Sequence, residues 1–220
     1  MNVLFISLGC DKNLVDSEVM LGLLAKEGYQ MTDDEQEADV IVINTCCFIH
    51  DAKEESIQTI LEMAQYKEEG RLKALIVTGC LAQRYQQEIL DEIPEVDAVL
   101  GTTAYTEIVK TIGEALEGNG HVRTDDLDAL PLTDPHRIVT TGGHYAYLKI
   151  AEGCDKHCTY CIIPKLRGNF RSVPMERLLK EAEDLAGQGV KELILVAQET
   201  TLYGKDLYGE KSLHRLLREL

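Results

Sequence analysis

The chain has 220 residues, with 38 Asp or Glu against 22 Lys or Arg and a formal net charge of -16. No apolar stretch approaches the ~18 residues that a membrane helix needs, and the 45% hydrophobic content is that of an ordinary globular protein, so a soluble, cytoplasmic chain with no membrane partner is expected. The acidity is uneven: residues 1–118 hold 23 acids against 8 bases, a net of -15, whereas residues 119–220 hold 15 against 14. Such a first half repels phosphate backbones and attracts a basic partner through a long-range, salt-sensitive field, or serves only to keep the protein in solution.

In chain order, the first half reads as strands alternating with helices, the pattern of an α/β parallel sheet with helices on its faces. Apolar strands are expected at Val3–Ser7, Asp39–Asn44, Ala74–Thr78 and Asp97–Leu100. Between them, amphipathic periodicity predicts helices over Asn13–Lys26, Ala52–Tyr66, Ala82–Glu92 and Tyr105–Glu117, with Gly28 and Gly118 at helix ends. From 119 to 143 the periodicity fades into Gly, Asp and Pro, including Pro131 and Pro135, and this stretch reads as a loop-rich linker. The domains are therefore set at 1–118, a linker at 119–143, and 144–220. Beyond the linker, Tyr145–Ile150 and Leu193–Ala197 read as strands, and Leu213–Leu220 as an apolar-patterned helix without a C-cap.

Seven cysteines with no secretory signal suggest a reducing compartment in which thiols bind metal or do chemistry. Cys154, Cys158 and Cys161 stand as C-x3-C-x2-C on the loop leaving the Tyr145 strand. That spacing can hold three corners of a 4Fe-4S cluster and leave the fourth iron without a protein ligand. With His157 the same three thiols would instead make a four-ligand zinc site. Cys10, Cys46 and Cys80 each fall just past a predicted strand, at the carboxyl edge where open α/β sheets bind ligands, next to Gly9, Thr45 and Gly79. A cluster site and three buried structural cysteines are both compatible with that address. Adjacent side chains on an extended chain end point oppositely, so one of Cys46 and Cys47 should reach a shared site.

Four segments carry a closer likeness: Ser7-Leu8-Gly9-Cys10-Asp11-Lys12-Asn13, Asn44-Thr45-Cys46-Cys47-Phe48-Ile49, Thr78-Gly79-Cys80-Leu81-Ala82-Gln83-Arg84-Tyr85, and the Cys154–Cys161 run. In this order and at these intervals the chain resembles the radical S-adenosylmethionine methylthiotransferases. S-L-G-C-x-K-N and Val196–Gly204 are similar to their ribosomal-protein branch rather than the tRNA branch, although Asp11 replaces a common proline and Glu199 an aspartate. The resemblance implies two 4Fe-4S clusters, one on Cys154, Cys158 and Cys161 and one on Cys10, Cys46 and Cys80, with Cys47 left to packing. It also implies S-adenosyl-L-methionine as cofactor, with Gln198 and Glu199 among its binding residues; Tyr160 can cover the cluster or the adenine, or simply pack. Arg167, Arg171 and Lys165 are further candidates to steady carboxylates.

The activity so implied is addition of a methylthio group to the β-carbon of an aspartate of small-subunit ribosomal protein uS12, with a flavodoxin- or ferredoxin-type protein as electron donor. Two alternatives stay open: a tRNA methylthiotransferase, disfavoured by the missing basic stripe, and an inactive metal-binding fragment. A closed (β/α)8 barrel takes about 250 residues, and only 77 follow Gly143. Residues 144–220 are accordingly expected to be the first part of a partial radical S-adenosylmethionine barrel, with the family's TRAM domain absent and the S-adenosylmethionine pocket incomplete.

Overall fold

A computed structural model describes residues 1–130 and 137–220. Pro131 and Pro135 of the expected linker lie outside the described residues. The chain forms two compact units, Met1–Asp126 and Leu127–Leu220.

The first unit is built on a six-stranded, all-parallel sheet in the order β2-β1-β3-β4-β5-β6. Its strands are β1 (Asn2–Ser7), β2 (Gln30–Thr32), β3 (Val40–Thr45), β4 (Ala74–Gly79), β5 (Ala98–Leu100) and β6 (Val122–Arg123). The central strands β3 and β4 are buried along their whole length, because Val-Ile-Val-Ile-Asn-Thr and Ala-Leu-Ile-Val-Thr-Gly have helices over both faces. Helices α1 (Asp11–Lys26) and α6 (Ile108–Leu116) close one face: Val19, Met20 and Leu24 of α1 and Ile108, Ile112 and Ala115 of α6 join Val3, Val40, Val42, Ile76 and Leu100 in one core. The opposite side carries α2 (His50–Ala64), α3 (Tyr66–Glu69), α4 (Cys80–Tyr85) and α5 (Gln87–Glu92).

Three features depart from the sequence reading. The stretch 82–92 is two helices, because Gln86 takes φ +42° between α4 and α5 with no glycine or proline to announce the break. Residues 105–107 form a 3-10 turn ahead of α6. Strands β2 and β6 are short and half exposed, so they carry too few apolar residues to register as strands; β6 lies inside the expected linker and extends the sheet past β5.

The second unit has a parallel pair, β7 (Tyr145–Lys149) with β10 (Glu192–Val196), joined through α8 (Met175–Gly187) as a βαβ unit. Leu148, Leu178, Tyr203 and, from the last helix (Leu213–Glu219), Leu216 form its core with Ile150. A short antiparallel pair, β8 (Ala151–Glu152) with β9 (Arg171–Ser172), brackets the cysteine loop and α7 (Ile163–Arg167). Together the parallel-sheet first unit and the βαβ second unit give the α/β architecture that the alternating pattern predicts.

Candidate functional site

In the first unit, the parallel register carries three cysteines to one edge. Ser7 of β1 pairs with Asn44 of β3, and Thr45 of β3 pairs with Gly79 of β4, so Cys10, Cys46 and Cys80 follow the carboxyl ends of three adjacent strands. The turn after β1 is tight: Gly9 has φ +96°, and a Cβ on it would lie 2.7 Å from the Cβ and 3.2 Å from the Sγ of Cys46. Only glycine lets that backbone reach Cys46. Gly79, at φ +91°, meets the backbone of Thr45 in the same way. Asn13 of α1 ties the turns together, its Nδ2 donating to Leu8 O at 3.1 Å and to Thr45 O at 2.9 Å. Asn44 Nδ2 in turn donates to Asn13 O and to Ser17 Oγ, each at 2.9 Å.

Cys10 is exposed at the N-cap of α1, whereas Cys46, Cys47 and Cys80 are buried. The Cys46 amide donates to Ser56 Oγ at 3.0 Å, and Cys80 Sγ lies 3.9 Å from Asn13 Oδ1. Cys47 lies beside Cys80. Its thiol donates to the Cys80 carbonyl at 3.2 Å, and burial, with the Cys80 thiol adding to it, pushes its pKa up to about 11.

The C-x3-C-x2-C loop of the second unit is fixed at its entry. Gly153 has φ +77°, and a Cβ there would run into the carbonyl of Asn169. The Cys154 amide donates to Gly168 O at 3.1 Å, and the Cys161 amide to Cys158 O at 2.9 Å. Cys154 and Cys161 are half-buried and Cys158 is exposed. His157, at φ +43°, occupies the left-handed turn between the first two thiols. Tyr160 is 90% exposed, so packing into this unit's core does not explain it.

Gln198 and Glu199 stand just beyond the end of β10. Gln198 Nε2 donates to Glu152 Oε1 at 2.9 Å. Glu199 pairs with Lys156 of the cysteine loop and accepts from Thr201, and these two contacts, Lys156 first, hold its carboxyl down at about 2. Glu199 is thereby an ionised group joining the end of β10 to the cysteine loop. Arg167 is buried against Glu152 at 3.2 Å, Arg171 lies 3.5 Å from Asp128, and Lys165 is exposed. Glu152 is the one acidic residue in Tyr145–Glu152, and its pairing with Lys149 three positions earlier is the signal in the sequence that could have marked it.

Among the described residues, no three His, Cys, Asp or Glu side chains converge at metal-holding geometry. The donor sets nevertheless suit an iron–sulfur cluster: all seven cysteines are free, two trios sit at glycine-relieved turns, and soft thiolates are the usual cluster ligands.

Two family models match the chain: the uncharacterized protein family UPF0004 over residues 2–101 and the Radical SAM superfamily over residues 148–219. The Cys154–Cys161 loop thus falls in the Radical SAM match, and the Cys10, Cys46 and Cys80 edge in the UPF0004 match. Along its whole length the chain is 67% identical to the ribosomal protein uS12 methylthiotransferase RimO of Lachnoclostridium phytofermentans, covering 50% of that protein. It is 56% identical to the RimO of Desulforamulus reducens over 98% of the chain and 49% of the relative, and 55% identical to that of Acetivibrio thermocellus with the same coverages. The chain spans about half the length of these curated relatives.

Proposed function

We propose that the chain serves methylthio transfer to the β-carbon of an aspartate in ribosomal protein uS12. The observation that carries this reading is the pairing of two cysteine trios, one at the carboxyl edge of the β1-β3-β4 sheet and one on the loop after β7, in a chain two-thirds identical to a protein bearing that name. An unactivated C–H bond has no acidic proton for a side-chain base, so the reaction needs a cofactor. S-adenosylmethionine bound at a reduced iron–sulfur cluster would supply a hydrogen-abstracting radical, and a second cluster would supply a sulfur whose methyl comes from a second S-adenosylmethionine.

The chain's own residues do the rest. Cys154, Cys158 and Cys161 would hold the first cluster and leave one iron open for the cofactor; Cys10, Cys46 and Cys80 would hold the second in the same way. Gly9 and Gly79 keep the second site clear of side chains, and Asn13 fixes its turns. Glu199 offers an ionised carboxylate to the cofactor's ammonium, in exchange for Lys156, while Gln198 and Tyr160 line the same site. Support for a protein rather than an RNA substrate is the net charge of -15 in residues 1–118, which repels phosphate and favours a basic ribosomal protein. The electron donor is of flavodoxin or ferredoxin type, and the setting is the cytoplasm; no described helix is long and apolar enough to cross a membrane.

Mass spectrometry of uS12 and of tRNA from a strain lacking the gene tests the substrate. Loss of the methylthio mass from uS12 alone is expected; its loss from tRNA instead would transfer the reading to the RNA branch.

A further inference from the structure

The second unit contains a buried charge group that this function leaves unused. Glu152 Oε2 accepts from Arg167 Nη1 at 3.2 Å and from Lys149 Nζ at 3.1 Å. Its Oε1 accepts from Gln198 Nε2 at 2.9 Å and from the Gly153 amide at 3.4 Å. One carboxylate therefore joins the end of β7, helix α7, the residue beyond β10 and the first residue of the cysteine loop. Two cations and one side-chain amide donor thus surround the carboxylate. Arg167 has only 2% of its side chain exposed and Lys149 12%, so both cations meet the carboxylate away from bulk water.

This arrangement acts on the loop in two ways. Mechanically, Glu152 fixes the peptide that precedes Cys154, which has little freedom: Gly153 is pressed against the Asn169 carbonyl, and the Cys154 amide is spent on Gly168. Electrostatically, the carboxylate of Glu152 and the cations of Lys149 and Arg167 lie close to the loop and are sheltered from solvent ions. Buried charges are weakly screened, so each of them is felt at the sulfurs.

We infer that Glu152 is a positioning residue for Cys154, and that with Lys149 and Arg167 it tunes the reduction potential of the cluster on the Cys154–Cys161 loop. The inference rests on the reading of those cysteines as cluster ligands. An added electron is favoured by nearby positive charge, so the two sides of the triad have opposite effects. Loss of the carboxylate raises the potential, and loss of a cation lowers it.

The test is an anaerobic redox titration of the reconstituted 220-residue chain followed by electron paramagnetic resonance, with the relevant signal identified by its disappearance in Cys158→Ala. Glu152→Gln should shift the midpoint to a more positive value and speed loss of iron to a chelator about tenfold or more; Glu152→Asp, which keeps the charge, should stay nearer wild type. Lys149→Met should shift the midpoint to a more negative value. Midpoints that do not move, or that move in the same direction in Glu152→Gln and Lys149→Met, overturn the inference. If Glu152→Gln does not fold, Lys149→Met still decides it by the sign of its shift. A wild-type chain with no signal sensitive to Cys158→Ala sinks the cluster reading and the inference together, whereas a wild-type signal with unmoved variants sinks the inference alone.

Discussion

Gly9 and Cys46 are in such close apposition that a Cβ on the glycine would lie 2.7 Å from the Cβ of the cysteine. This contact joins the turn after β1 to the end of β3, and it brings Cys10, the next residue, to the edge that Cys46 and Cys80 share. Gly9→Ala must both adopt φ +96° and displace Cys46. The expected cost is about 1–3 kcal/mol in chemical denaturation, with loss of the iron held by Cys10, Cys46 and Cys80 and retention of the other cluster. Full retention of iron in the variant would show that the turn does not shape the site.

Gly153→Ala is the counterpart in the second unit. Its Cβ would meet a backbone carbonyl, which cannot rotate away as a side chain can, and φ +77° is unfavourable for alanine. Iron at the C-x3-C-x2-C loop should fall while that at the other trio remains. The two glycine variants thus remove complementary halves of the visible absorbance on reconstitution.

Asn13 donates to the carbonyls of Leu8 and Thr45, which belong to different strand-end turns. Asn13→Ala leaves the buried Thr45 carbonyl without that partner, at a cost of roughly 1–3 kcal/mol. Urea denaturation of the metal-free chain measures this directly; a change below about 0.5 kcal/mol would assign the turn's order to the glycines instead.

Acid sensitivity should track Asp39. Its carboxylate, 3% exposed, accepts from the Asn2 amide at 2.9 Å and pairs with Arg71 at 2.8 Å and Lys73 at 3.1 Å. These contacts, the Asn2 amide first, hold it well below the ordinary aspartate range. A depressed folded value means that the stabilisation is complete above the unfolded-state pKa of about 4 and is lost as pH falls through the folded-state value. Asp39→Asn should cost roughly 1–3 kcal/mol at neutral pH and flatten the fall in melting temperature below about pH 4. An acid limb identical to wild type would contradict the assignment.

The legibility of the fold follows burial. β3 and β4 are apolar throughout because both sheet faces are covered, and α1 and α6 show the helical period of one buried face, so these elements stand out in the sequence. β2 and β6 do not, because their pairing rests on backbone hydrogen bonds between three and two residues with little side-chain burial. The break at Gln86 is equally silent, since tertiary packing rather than a glycine imposes its positive φ. Likewise, the cysteine spacings mark the candidate ligands, but not the residues that orient them. Glu152 and Asn13 act through partners 46 and 32 positions away in sequence, and only the folded chain brings Gln198 and Thr45 to them.

Anaerobic reconstitution with iron and sulfide, followed by metal analysis of wild type beside Cys10→Ala, tests the two-cluster account most directly. About eight irons per chain are expected for wild type and about four for the variant. Stoichiometric zinc without a broad visible band, or an iron content that Cys10→Ala leaves unchanged, would contradict it.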